Sequence, residues 1–74
     1  MMAKKKRDVE KAYTNKQMIA KLKRFADSLA EDKSFRIQIA GERIHVPKGA
    51  TVNIEHEREG DNEEIEFQIK WKNA

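Results

Sequence analysis

The 74-residue sequence has no cysteine. No disulfide can reinforce the fold, and nothing points to an oxidising compartment. Long hydrophobic runs are also missing. No apolar stretch approaches the roughly 20 residues of a membrane span, and the N-terminus lacks the apolar block of a signal peptide. The expectation is a cytoplasmic protein that does not enter the membrane. Glycine and proline are scarce, three and one respectively, and no glycine-rich phosphate loop is formed. The stretches "AGERIH" and "EGDNEE" lack its spacing and read as hairpin turns. Aromatic residues are few, at 7%, and Phe35, Phe67 and Trp71 fall on the core parity, so the open sheet face offers no base-stacking platform.

What is present is charge, at 39% of residues, and an orderly placement of the apolar remainder. A chain of this length makes one domain and buries only a little over ~60% of the surface its unfolded form exposes. The net charge of +3 conceals an asymmetry. Residues 1–50 carry 13 Lys/Arg against 6 Asp/Glu, a balance of +7, and residues 51–74 carry 3 against 7, a balance of −4. The front is basic and the end acidic.

The opening "MMAKKKRDVE" has four consecutive cations and little apolar content. It reads as a basic, disordered tail over residues 1–10, ahead of a single domain over 11–74. Val9, Lys11 and Tyr13 alternate weakly and are compatible with a short edge strand. The stretch "TNKQMIAKLKRFADSLAEDK" is the clearest helix. Thr14 followed by Gln17 fits a capping box. Met18, Ile19, Leu22, Phe25, Ala26 and Leu29 draw one apolar stripe at helical spacing. The helix is expected over about 15 to 31.

Four short alternating segments follow. Phe35, Ile37 and Ile39 share one parity, as do Ile44 and Val46, then Val52 and Ile54, then Ile65, Phe67, Ile69 and Trp71. Gly41-Glu42, Pro47-Lys48-Gly49 and Gly60-Asp61 separate them as turns, and a leading glycine suits a type II′ hairpin. With two-residue turns at Gly41-Glu42 and Gly60-Asp61, Ile39 faces Ile44, Ile37 faces Val46, Ile54 faces Phe67 and Val52 faces Ile69. A three-residue loop at 48–50 sets Val46 opposite Val52 and Ile44 opposite Ile54. Apolar meets apolar throughout. The fold class is therefore α+β: one amphipathic helix packed on a four-stranded antiparallel meander, with the helix covering the apolar face. Trp71, on the core parity and facing Ala50, closes one end of that sandwich.

Three stretches resemble the amphi-Trp family of small prokaryotic proteins and domains, whose amphipathic C-terminal segment ends in tryptophan. They are the helix "MIAKLKRFADSLAE", the strand-turn-strand "FRIQIAGERIHVP" and "VNIEHEREGDNEEIEFQIKW", spanning residues 18 to 71. The resemblance implies the fold and carries no activity, cofactor or partner. The lysine-rich start lies outside it.

Catalysis needs convergent polar groups in a pocket. His45 and His56 fall on opposite faces and form no dyad. The chain is expected not to be an enzyme and to hold no cofactor or metal, because a flat sheet face converges oxygen ligands poorly. Glu57 opposite Glu64 and Glu55 opposite Glu66 place like charges together on the wet face, which destabilises a sheet unless something offsets them. Glu55, Glu57, Glu64, Glu66, Lys70 and Lys72 are the candidate docking surface, on the open sheet face or an edge. The partner is an unidentified protein or a second copy, whose antiparallel final strand would set Glu64 and Glu66 near Lys72 and Lys70. The function read from this is a small non-catalytic interaction or structural module. The alternative is weak, nonspecific nucleic-acid binding, with Lys4, Lys5, Lys6, Arg7, Lys16, Lys21, Lys23 and Arg24 as phosphate contacts.

Overall fold

The computed structural model describes residues 6–73. Residues 6–14 run without helix or strand, so the alternation through Val9, Lys11 and Tyr13 forms no strand. Helix α1 spans Asn15–Ala30, and four strands follow: β1 Phe35–Ile39, β2 Glu42–Val46, β3 Thr51–Glu59 and β4 Asn62–Lys70. The α+β class stands, with one helix and four antiparallel strands.

The helix begins where its cap dictates. The Thr14 hydroxyl accepts from the Gln17 amide at 3.2 Å, and the Gln17 side chain accepts from the Thr14 amide at 3.0 Å. Two donors that the helix cannot satisfy internally are thereby satisfied. At the other end Asp32 turns left-handed, with φ 56°. The Lys33 amide donates back to the Ser28 carbonyl at 2.9 Å, and the Asp32 amide to Leu29 at 3.2 Å. This is a Schellman ending with aspartate where glycine is usual.

The first hairpin departs from the sequence reading by two residues. Phe35 pairs with Val46, Ile37 with Ile44 and Ile39 with Glu42. The turn is Ala40-Gly41, and both residues have positive φ, 48° and 83°. This is the type I′ geometry, whose glycine comes second. A slip of two preserves side-chain parity, so the apolar face is unchanged. Alanine is poorly suited to the left-handed region, so Ala40→Asn is expected to stabilise the domain by about 1 kcal/mol. A raised denaturation midpoint at constant slope is the readout.

The second hairpin follows the expected register throughout: Val52 pairs with Ile69, Ile54 with Phe67 and Glu59 with Asn62. Gly60 takes φ 59° at the first turn position. The meander, however, is not completed. The strands make two separate two-stranded sheets, β1–β2 and β3–β4, and the expected Val46–Val52 and Ile44–Ile54 pairings do not form. The connection explains why. The Ala50 amide closes a turn onto the Pro47 carbonyl at 3.3 Å, Gly49 lies at φ 91°, and Lys48 is tied to Asp32 at the helix end at 3.1 Å. The chain leaves β2 in a tight turn held to the helix and does not run back along the strand.

The helix accordingly packs on β1. The core of the described residues is small: Phe35 at 6% exposure and Val46 at 5% are its buried hydrophobics. Phe25 comes down on Phe35, ring centroids 5.4 Å apart at 50°. The expectation that one helix covers the whole apolar face is overturned, because β3–β4 extends past it.

Candidate docking surface

The β3–β4 hairpin has two faces, set by the period-2 alternation of its strands. One carries Val52, Ile54, Ile65, Phe67 and Ile69. Val52 and Ile69 stand at its base, where they line a cavity with Phe25, Leu29, Phe35 and Val46. Farther out, Ile54, Ile65 and Phe67 are 64–65% exposed. The far end of this face is ionic: Glu63 accepts from the Arg58 guanidinium at 2.5 Å and contacts the His56 ring nitrogen at 2.7 Å. His45 sits opposite Arg36 on the other hairpin, so the two histidines belong to separate sheets and not to two faces of one.

The opposite face carries the acidic residues singled out from the sequence, and the structure brings them together. Glu55 stands opposite Glu66 and Glu57 opposite Glu64. The carboxylate oxygens of Glu57, Glu64 and Glu66 lie within 4.8 Å of one another. Part of the repulsion is offset by a residue that sequence reasoning passed over. The Gln68 amide donates to Glu55 at 2.8 Å and to Glu66 at 3.1 Å, while its oxygen accepts from Asn53 at 2.7 Å. Its place on the same parity, two residues from Glu66, was the available signal. Lys70 pairs in register with Thr51, and Lys72 lies just past the strand; both are exposed, on the parity of the glutamates.

The crowding shows in the titration of the glutamates. Glu64 is held above its ordinary pKa, first by its hydrogen-bonding proximity to the Glu66 carboxyl and its charge, then by desolvation and the charges of Glu57 and Glu10. Glu63 is held below, by hydrogen bonds from Arg58 and then His56. A raised carboxylate binds protons more tightly in the folded state, so the Glu64 contribution weakens the hairpin as pH rises through the window above the ordinary value. The Glu63 contribution has the opposite sign: it is present at neutral pH and lost as pH falls through its depressed value. Carboxyl chemical-shift titration should place the Glu64 midpoint above that of Glu63. Glu66→Gln should bring the Glu64 midpoint down, and an unmoved midpoint would remove Glu66 as the cause.

The candidate phosphate contacts are placed differently from the sequence picture. Arg24 donates to the Arg36 carbonyl at 2.6 Å and Lys21 to the Gln38 carbonyl at 3.3 Å, where Tyr13 also donates. Arg7 donates to the Ile39 carbonyl at 3.0 Å and approaches Glu42 at 3.4 Å. Lys21 and Arg24 therefore line the outer edge of β1 and satisfy carbonyls that an edge strand leaves bare, while Arg7 reaches the turn end of the hairpin. Lys6, Lys16 and Lys23 are exposed. Lys4 and Lys5 lie outside the described residues.

Trp71 is half-buried, not a core residue. It lines a hollow with Pro47, Gly49 and Ala50, the residue that continued register sets against it, and its indole N–H donates to Asn73 at 3.0 Å. The tryptophan thus closes the base of the second hairpin against the turn that precedes it. Trp71→Ala is expected to cost about 1–2 kcal/mol, below the roughly 3–5 kcal/mol of a fully buried aromatic. A denaturant melt measures it.

The cavity between the helix end and the two hairpins measures about 40 Å³, below the roughly 300–1,000 Å³ of a small-molecule site, whereas the open surface hollows, among them the one beside Trp71, measure about 410–520 Å³. Among the described residues no helix is long and apolar enough to cross a membrane. No protein-family model, no curated protein and no solved structure matches this chain.

Proposed function

We propose that the protein is a small non-catalytic interaction module, cytoplasmic and of the amphi-Trp type, that works by docking through its β3–β4 hairpin. One observation carries the reading: Ile54, Ile65 and Phe67 form an apolar row in the open, with no helix over it. Isolated surface hydrophobics are ordinary, but a contiguous apolar face rimmed by charge marks a contact surface. His56, Arg58 and Glu63 at the far end of the same face supply the charged rim. The docking surface thereby moves from the wet face favoured by sequence to the apolar one.

A photoreactive phenylalanine analogue at position 67 tests this in cells. The expected result is protein adducts from position 67 and few from an analogue at position 45 on the first hairpin. Equal labelling at the two positions would remove the apolar face as the docking surface. Adducts to nucleic acid would favour the alternative function instead. The cluster of Lys21, Arg24, Arg36 and Arg43 around one groove supports that alternative. Its signature is affinity that falls steeply with salt.

A further inference from the structure

Among the described residues, two apolar surfaces lack a cover. One is the row of Ile54, Ile65 and Phe67 on the second hairpin; the other is the Met18, Ile19 and Leu22 side of the helix stripe, each residue between 42% and 51% exposed. We propose that they cover each other across two copies: the protein is a homodimer in which the β3–β4 hairpin of each chain lies on the helix stripe of the other. The proposal rests on the docking reading above and names its partner.

Geometry keeps the two surfaces apart within one chain. The hairpin is rooted near the C-terminal end of the helix, where Leu29, Val52 and Ile69 line one cavity. Met18, Ile19 and Leu22 lie in the first half of the helix, and the helix makes its contacts with β1. A hairpin that does not lie on its own stripe leaves that stripe open to the hairpin of a second chain. The exchange then occurs twice about a two-fold axis, and the assembly closes at two copies without leaving a face over.

Charge selects the helix over a second hairpin as the cover. Stacking hairpin on hairpin brings two acidic segments together, each with the −4 balance of residues 51–74. The helix instead carries Lys16, Lys21, Lys23 and Arg24 against Asp27, so hairpin on helix brings together segments of opposite net charge.

The exposed area is of the right size. A compact monomer of 8.7 kDa exposes about 4,700 Å² by the scaling of surface with mass, whereas this chain exposes 7106 Å². Even with the residues before the helix counted as fully extended, an excess of about 700 Å² is left. A standard interface buries about 800 Å² per partner.

Sedimentation equilibrium of the whole chain, from micromolar to near-millimolar, reads the mass. The expected species is a dimer of twice 8.7 kDa. Phe67→Asp should raise the dissociation constant about a hundredfold, while circular dichroism shows the helix retained. Because the chain has no cysteine, a second measurement identifies the cover even if that variant fails to fold. Leu22→Cys protein mixed with Ile54→Cys protein should form a disulfide heterodimer under mild oxidation, in clear excess over either protein alone. A dimer without that excess would overturn the helix as the cover. A monomer at every concentration would overturn the dimer. Hydrogen exchange on the monomer then separates the two readings. Fast-exchanging β3–β4 amides leave the docking reading standing, and slow ones, from a hairpin folded onto its own helix, overturn it as well.

Discussion

Phe35→Ala should cost about 3–5 kcal/mol, enough to leave the chain largely unfolded. Phe35 is one of the two buried hydrophobics of the core and faces the other, Val46, across the first hairpin. It also receives Phe25 from the helix, and the Arg24 guanidinium lies 5.5 Å from its ring centroid. Helix and hairpin meet through this ring. Its loss therefore removes apolar burial and the contact that holds the two elements together. The hollow left would lie between the helix and the first hairpin, where, among the described residues, no other ring meets Phe25. Loss of the helical circular dichroism signal, or a collapse of the urea midpoint, is the expected observation. Phe35→Leu, which keeps most of the volume, should retain much of the stability. A Phe35→Ala protein as stable as the parent would mean that the core lies elsewhere.

The proposed dimer makes stability depend on concentration. Anything that binds the folded form alone adds to its stability, and a partner at about 100 times its dissociation constant adds about 2.7 kcal/mol. One kcal/mol moves the melting temperature of a domain this small by about 4–8 °C. A dilution series from near-millimolar to low micromolar should therefore lower the midpoint by about 10–20 °C. Phe67→Asp should flatten that dependence while leaving the dilute midpoint in place. A midpoint equal at every concentration would show that folding and association are uncoupled.

Local chemistry was legible in the sequence and layer closure was not. Thr14 and Gln17 announce the helix start because a capping box is written in adjacent residues. Gly60 fixes the second hairpin because a leading glycine and two clean alternations leave one register. Gly41 was ambiguous: glycine serves first in a type II′ turn and second in a type I′ turn, and Ala40 gives no sign of a left-handed backbone. Parity survived that error because the slip was by two. The pairing of β2 with β3 failed for a different reason. Val46 and Val52 match on paper, but the path of the four-residue connection is set by the Pro47–Ala50 turn and the left-handed Gly49, which alternation does not encode. The proposed docking surface shifts for the same reason. If the helix covers everything, only the wet face is left to dock; once the second hairpin stands free, the apolar row is the surface we propose. The stacking of Glu55, Glu57, Glu64 and Glu66 was read correctly, since it follows from register alone.

The separateness of the two hairpins has a kinetic consequence. Each pairs strands that are neighbours in the chain and closes through a two-residue turn, so each can form in about 1–10 μs without waiting for distant contacts. The second hairpin is then not a segment that must be unravelled from one body and threaded into another. It meets a partner already shaped, and encounter frequency limits assembly. Subunits from two preparations, one isotopically labelled, should exchange at the rate at which the pair dissociates, with no slower step set by global unfolding.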